Sequence, residues 1–129
     1  QLSNPPIFQL AALRASLDIF DRATMPKLRV KGDLLTGYLE YLLNEIKDSV
    51  ESKRPGYLSI ITPSAPGERG CQLSLRFQGG RGILERFKEA GVVCDFREPD
   101  VIRATPAPLY TSFEDVYRFA QVVKQFAEV

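Results

Sequence analysis

The absence of histidine limits the chemistry that this 129-residue sequence can perform. Without an imidazole, neither a Ser/His/Asp nor a Cys/His catalytic arrangement can form, and zinc has no histidine ligand. The two cysteines, Cys71 and Cys94, are too few for a four-cysteine metal site, and their spacing is not that of a CxxC motif. Catalysis would therefore depend on carboxylates, lysine, arginine, tyrosine, serine, cysteine or a bound cofactor.

Arg103 is the cation whose position best suits ligand binding. It lies in the short β-prone run Val101–Ala104, just before a rigid segment containing Pro106 and Pro108. A strand would hold the planar guanidinium in place, where it could bind a carboxylate through two parallel hydrogen bonds. The alternative is an arginine on the exposed face of an edge strand, and the pattern leaves both open.

Asn4 is a second candidate, because it stands between an extended, Pro-rich entry and the predicted start of a helix. Its amide both donates and accepts hydrogen bonds, and the free N–H groups at a helix N-terminus attract anions. The alternative is a plain helix N-cap made by Ser3 or Asn4.

The remaining motifs have simpler explanations. A Schiff-base lysine needs a desolvated pocket, and the lysines are predicted to lie on polar helix faces or in a loop: Lys27, Lys31, Lys47, Lys53, Lys88 and Lys124. Glu68 and Arg69 are interpreted as a local ion pair in a loop. The glycine-rich stretch 79–82 lacks the Walker pattern, so it is interpreted as a turn between a strand and a helix.

Composition is that of one ordinary globular domain. The formal net charge is +1, which gives no overall electrostatic reason to bind nucleic acid. No apolar run approaches the roughly 20 residues of a membrane span, and no signal peptide is evident. Two cysteines in such a chain are expected to be reduced, buried thiols, which suits a cytoplasmic protein. Because the chain starts at Gln1 rather than Met, we expect a processed or excised piece.

Two helices are predicted to begin the chain. Apolar residues recur at three- and four-residue steps over Ile7–Ala23, on a face wide enough to imply contacts on more than one side. Thr24 and Pro26 predict a break, after which a second helix runs to about Val50.

The apolar period then changes. Strands are predicted at residues 57–62, 71–77, 92–94 and 101–104, with a short helix around 83–90 that Gly91 ends. Ser112 and Asp115 resemble a capping box before a final helix. The order predicts a single α+β domain over 1–129, in two layers, with helices on one face of a small, mostly antiparallel sheet. Residues 1–26 would form an entry segment and inter-domain helix, and residues 27–129 the compact part.

Seven stretches, spread in order over the whole chain, resemble the C-terminal part of kynureninases. They are SNPP at 3–6, ASLDIF at 15–20, LLTGYLEYL at 34–42, IITPS at 60–64, ERGCQL at 68–73, GVVCD at 91–95 and IRATPAPLYTSFEDVYRF at 102–119. This family contains pyridoxal-phosphate-dependent hydrolases of the aspartate-aminotransferase fold type. The collinear match is more specific than any one motif.

The resemblance implies a reaction and separate roles for two domains of the enzyme. Family members cleave kynurenine or 3-hydroxykynurenine to anthranilate or 3-hydroxyanthranilate and alanine, using pyridoxal 5'-phosphate as an electron sink. The lysine and the other groups that bind this cofactor belong to a large N-terminal domain, expected upstream of Gln1, and the full-length enzyme is expected to be a homodimer. This chain would be inactive alone.

The family's site residues carry over to three positions. The arginine that binds the substrate α-carboxylate falls on Arg103. The asparagine that lines the pocket for the aromatic ring falls on Asn4, with Ser3 beside it as a weaker candidate. A non-catalytic module that binds a small acid through Arg103, or a structural dimerisation unit built on the first two helices, are the alternatives.

Overall fold

The computed structural model describes residues 4–128, which form four α-helices and four short strands. The elements in chain order are α1 (Ile7–Ala23), α2 (Met25–Val50), β1 (Leu58–Ile60), β2 (Leu73–Phe77), α3 (Arg81–Glu89), β3 (Asp95–Arg97), β4 (Val101–Ala104) and α4 (Phe113–Ala127), with a 3₁₀ turn at Pro66–Glu68. The α+β prediction is confirmed, because helices and strands follow in the predicted order. Ser3 lies outside the described residues, so its interpretations stay predictions.

The strands form one antiparallel sheet in the order β1-β2-β4-β3, in which β4 is an interior strand. Side chains alternate between the two faces of a sheet. The apolar set faces the helices and is buried: Leu58, Leu73, Leu75, Phe77, Ile102 and Ala104. The other face carries serines and charged residues and has no helix packed on it in the described chain.

The core lies between the apolar face of the sheet and three helices. Their buried residues recur at helical spacing, and they are Leu35, Leu39, Leu43 and Ile46 of α2, Ile83, Leu84 and Phe87 of α3, and Val116, Ala120 and Val123 of α4. The ring of Phe87 meets those of Phe77 and Phe119 edge-on, with centroids 5.5 Å apart in each pair. The predicted capping box at Ser112 and Asp115 is present and begins α4.

The strand predicted at residues 92–94 is wrong. Backbone pairing with β4 begins at Asp95, opposite Arg103. Val92 and Cys94 pack against the core without belonging to the sheet, and Val93 is 94% exposed. The apolar run therefore connects α3 to β3. Its apolar character is explained by the contact of Val92 and Cys94 with the core, which does not require pairing with another strand.

Helix α1 is nearly free of the rest of the described chain. The predicted break is present, with Thr24 in the left-handed region at φ 64°. None of the α1 residues is buried, and Phe8 is 90% exposed. Its main contact is with α2, so the predicted contacts on a second side are not found among residues 4–128. No helix in this part of the chain is long and apolar enough to cross a membrane.

A buried ion pair attaches the loop at residues 63–70 to α2. Arg69 Nη2 lies 2.7 Å from Glu40 Oε2, and the two side chains are 5% and 18% exposed. Arg69 Nη1 also donates to the carbonyl of Pro63 at 3.2 Å, and Arg29 Nη1 donates to the carbonyl of Arg69 at 3.1 Å. The local pair predicted between Glu68 and Arg69 is wrong, because Arg69 reaches Glu40, 29 positions earlier.

We expect Arg69→Ala to lower the free energy of unfolding by about 3 kcal/mol, because it leaves the Glu40 carboxylate poorly solvated and without its partner. The control is Arg81→Ala, which removes an exposed pair with Glu98 and should cost less than about 1 kcal/mol. Equilibrium urea unfolding followed by circular dichroism measures both. Equal losses in the two variants would contradict the anchoring role of Arg69.

Candidate functional site

Arg103 lies in the middle of the sheet, on the face that the helices do not cover. In β4 it is paired with Ser74 of β2 on one side and with Asp95 of β3 on the other. Its neighbours Ile102 and Ala104 are buried in the core, so Arg103 points to the opposite face. Its side chain is 31% exposed. The edge-strand alternative is wrong, since β4 has a partner on each side.

Asp95 is the acidic partner of Arg103. Arg103 Nη2 donates to Asp95 Oδ2, and Arg97 Nε lies 3.2 Å from the same oxygen. The hydrogen bond from Arg103 holds the pKa of Asp95 below its ordinary value, and the charges of Arg103 and Arg97 act in the same direction. Asp95 is therefore ionised at neutral pH and lies between two guanidinium groups.

Arg103 keeps donors for a further acceptor. A guanidinium carries five N–H donors, and Asp95 accepts from Nη2 alone. Arg103 Nε is buried and has no hydrogen-bond partner among residues 4–128. Leaving a buried donor unsatisfied costs about 1–3 kcal/mol, so the site favours an added acceptor, and a planar carboxylate fits the fork of a guanidinium.

Arginines outnumber carboxylates in this part of the uncovered face. Arg76 and Arg97 lie on strands that flank β4, on the same face as Arg103. The carboxylates that pair with them are Asp95 and Asp100, and Arg76 Nε lies 2.8 Å from Asp100 Oδ2. The surface around Arg103 thus has an excess of positive charge, which suits an anionic ligand.

Asn4 is exposed, and its side chain does not cap the start of α1. The N-cap of α1 is Pro6, no side chain caps this end, and the first helical hydrogen bond runs from the Leu10 N–H to the Pro6 carbonyl at 3.0 Å. The N-cap interpretation of Asn4 is therefore wrong. No hydrogen bond within residues 4–128 joins Asn4 to Arg103, whose acidic partner is Asp95.

An apolar hollow of about 450 Å³ lies where α1 meets α2. Its walls are mostly apolar, and they include Phe20, Met25, Leu28, Gly32, Cys71, Pro108, Leu109 and Tyr110. Arg103 is not part of this wall. The hollow and the carboxylate-binding candidate are therefore separate features of the described chain.

Neither the cysteines nor the lysines have the surroundings of a nucleophile. Both cysteines are free, as predicted, although they are half-buried rather than fully buried. Burial raises the pKa of Cys94 to about 11, so its thiol stays protonated at neutral pH. Each lysine is exposed or half-buried, and the half-buried Lys31 donates from Nζ to the carbonyl of Pro108 at 2.8 Å.

Asp95 is a candidate site residue that the sequence analysis did not identify. Placing a strand at residues 92–94 put Asp95 outside the sheet, so its register with Arg103 was not considered. The signal was present in the sequence, where Phe96 stands between two charged residues and a Pro-containing turn leads into β4. That pattern is typical of a hairpin with one face exposed, and the observed register of the two strands then places Asp95 opposite Arg103.

The sequence is similar to those of proteins named kynureninase. The family model described as "Kynureninase C-terminal domain" matches residues 28–123. The kynureninase of Myxococcus xanthus is 56% identical over 128 residues, which are 98% of this chain and 28% of that protein. The kynureninase of Rattus norvegicus is 52% identical over 126 residues, covering 95% of this chain and 27% of that protein.

A third relative matches a similar share of this chain and of its own length. The kynureninase of Xanthomonas campestris is 48% identical over 131 residues, covering 98% of this chain and 29% of that protein. The chain thus spans less than a third of the length of these curated relatives. Since the family model covers most of its residues, the chain belongs to the kynureninase C-terminal domain family.

Proposed function

We propose that this chain is the C-terminal domain of a pyridoxal-phosphate-dependent hydrolase that cleaves L-kynurenine or 3-hydroxy-L-kynurenine to anthranilate or 3-hydroxyanthranilate and L-alanine. The observation that carries the proposal is Arg103, held on an interior strand with a buried Nε that lacks a partner in the described residues. Relatives named kynureninase, about half identical to this chain, support the assignment. The reaction belongs to a longer protein, of which this chain supplies part of the substrate site.

Arg103 binds the α-carboxylate of the amino-acid substrate. The interior position of β4 keeps its backbone still, so the guanidinium is presented at a defined place on the uncovered face. Two parallel hydrogen bonds to a carboxylate fix both the position and the orientation of the substrate. This orients the side chain that is to be cleaved without Arg103 taking part in the bond cleavage itself.

Asn4 and Ser3 line the pocket for the aromatic part of the substrate. Asn4 is exposed in the segment before α1, and its side chain makes no cap for that helix. An exposed amide of this kind is available to a pocket that other parts of the longer protein complete. Hydrogen bonding of the Asn4 amide to the ring hydroxyl would set the preference between the two substrates.

Pyridoxal 5'-phosphate is held by the rest of the longer protein. When bound, it supplies an electron-withdrawing ring that stabilises negative charge developing on the substrate. The residues of this chain do not fit the cofactor's covalent attachment point, because no lysine of the chain is buried in an apolar pocket. The role of this chain is confined to binding and orienting substrate.

The partner of this chain is the large N-terminal domain of the same protein. The apolar residues of α1 are exposed in the described chain, and a surface of this kind is typical of an interface. The match covers 28% of the Myxococcus xanthus relative, so a longer protein of that length has room for a domain that covers this surface. Residues 1–26 form the entry segment and inter-domain helix, and residues 27–129 the compact part, a division supported by the family match at 28–123. The whole enzyme is a cytoplasmic homodimer.

We expect Arg103→Ala in the full-length protein to lower kcat/KM for kynurenine by about 100-fold or more. Losing a charge-assisted pair in a binding site costs roughly 2–5 kcal/mol, which supports a change of that size. Steady-state kinetics measures the effect, and the control is Arg118→Ala, which removes an exposed arginine of α4 that pairs with Glu114 and should leave kcat/KM nearly unchanged. Near wild-type kinetics in Arg103→Ala would remove Arg103 from the site.

We expect Asn4→Thr to change the ratio of kcat/KM values for kynurenine and 3-hydroxykynurenine by up to about 10-fold, since one neutral hydrogen bond contributes about 0.5–1.5 kcal/mol. Gln9→Thr, at an exposed position of α1, is the control. The two substrates are compared in the same assay. An unchanged ratio in Asn4→Thr would refute a role in selectivity.

We expect the isolated chain to form no stoichiometric, single-site lysine adduct when it is mixed with pyridoxal phosphate and reduced with borohydride. Exposed lysines give scattered, partial labelling, because none has the desolvated surroundings that favour one site. Peptide mapping by mass spectrometry locates the label. The full-length protein should carry one adduct outside residues 1–129. A single stoichiometric adduct within this chain would contradict the proposal that the cofactor is attached to another part of the protein.

A further inference from the structure

The two flanks of Arg103 differ in charge. Asp95 stands directly opposite it on β3, and Ser74 stands opposite it on β2. Side chains of opposed residues in an antiparallel pair lie next to each other on the same face. Arg103 is therefore drawn toward β3, where a carboxylate accepts its hydrogen bond, and away from the neutral side.

The contact leaves most of the guanidinium free. Asp95 uses one oxygen, Oδ2, and the donor is Nη2 alone. A carboxylate that competed with substrate would occupy the fork through two parallel hydrogen bonds. The observed contact instead holds one corner of the group, while Nε has no partner in the described chain.

Arg97 keeps the site cationic. Its Nε lies 3.2 Å from Asp95 Oδ2, the same oxygen that accepts from Arg103. Asp95 alone would cancel the charge of Arg103 and weaken its attraction for an anion. With Arg97 added, the three side chains carry two positive charges and one negative charge, so an anionic ligand still meets a net positive charge.

We propose that Asp95 is a positioning residue for Arg103, which fixes one corner of the guanidinium so that its remaining donors face the substrate carboxylate. Arg97 belongs to the same arrangement, because it offsets the charge of Asp95. The inference rests on the proposed function of Arg103 as the carboxylate anchor. Asp95 itself does not touch the substrate.

Asp95→Asn in the full-length protein tests the proposal, because it keeps the size of the side chain and removes its charge. We expect KM for kynurenine to rise about 10-fold with kcat changed much less, since the loss falls on substrate binding. Glu98→Gln is the matched control, an exposed carboxylate in the turn between β3 and β4 that pairs with Arg81. It should leave both constants unchanged, and a thermal melt confirms that each variant is folded.

A double-mutant cycle separates positioning from a general structural effect. If Asp95 acts through Arg103, Asp95→Asn should change kcat/KM by less than about 2-fold in an Arg103→Ala background, where no cation is left at position 103 to pair with Asp95. An equal loss in both backgrounds, or a lower KM in the single variant, would overturn the proposal. An impaired Arg103→Ala with an unaffected Asp95→Asn would overturn this inference alone, whereas an unaffected Arg103→Ala would overturn the proposed anchor as well.

Discussion

The burial of Ile102 and Ala104 in the core is the constraint on which the site depends. These two residues lie on either side of Arg103 in β4, and both are packed beneath the helices. Side chains alternate along a strand, so the arginine has to point to the uncovered face. The same strand lies between β2 and β3, and it is therefore held from both sides. Packing in the core and the position of a cation on the uncovered face both follow from this alternation of side chains.

Much of the fold could be predicted from the sequence, because local periodicity reports burial directly. The helical spacing of Leu35, Leu39 and Ile46 and the alternation of Leu73, Leu75 and Phe77 correspond to the observed core. The connection at 92–94 was misjudged because an apolar run reports contact with the core and says nothing about pairing. Arg69 was misjudged for a related reason, since its partner Glu40 is distant in sequence and no local pattern indicates it.

The site could be predicted only in part. Arg103 was found because a short β-prone run before a Pro-rich segment is visible in the sequence. Asp95 was not found, because its relation to Arg103 depends on strand register, which is a property of two strands together. Asn4 was proposed from its position before a predicted helix and from the family resemblance, and its role in a site stays a prediction.

The two kinds of charge pair in this domain differ in their response to ionic strength. At about 0.15 M salt the screening length is roughly 8 Å, and it acts mainly on charges in contact with water. The pair of Arg69 and Glu40 is largely shielded from water and will hold the loop at 63–70 over a wide range of salt. Arg76 and Arg97 are exposed, so their long-range attraction for an approaching carboxylate weakens as salt is added. Added salt is therefore expected to weaken the positive field around Arg103 while the scaffold that presents Arg103 stays intact.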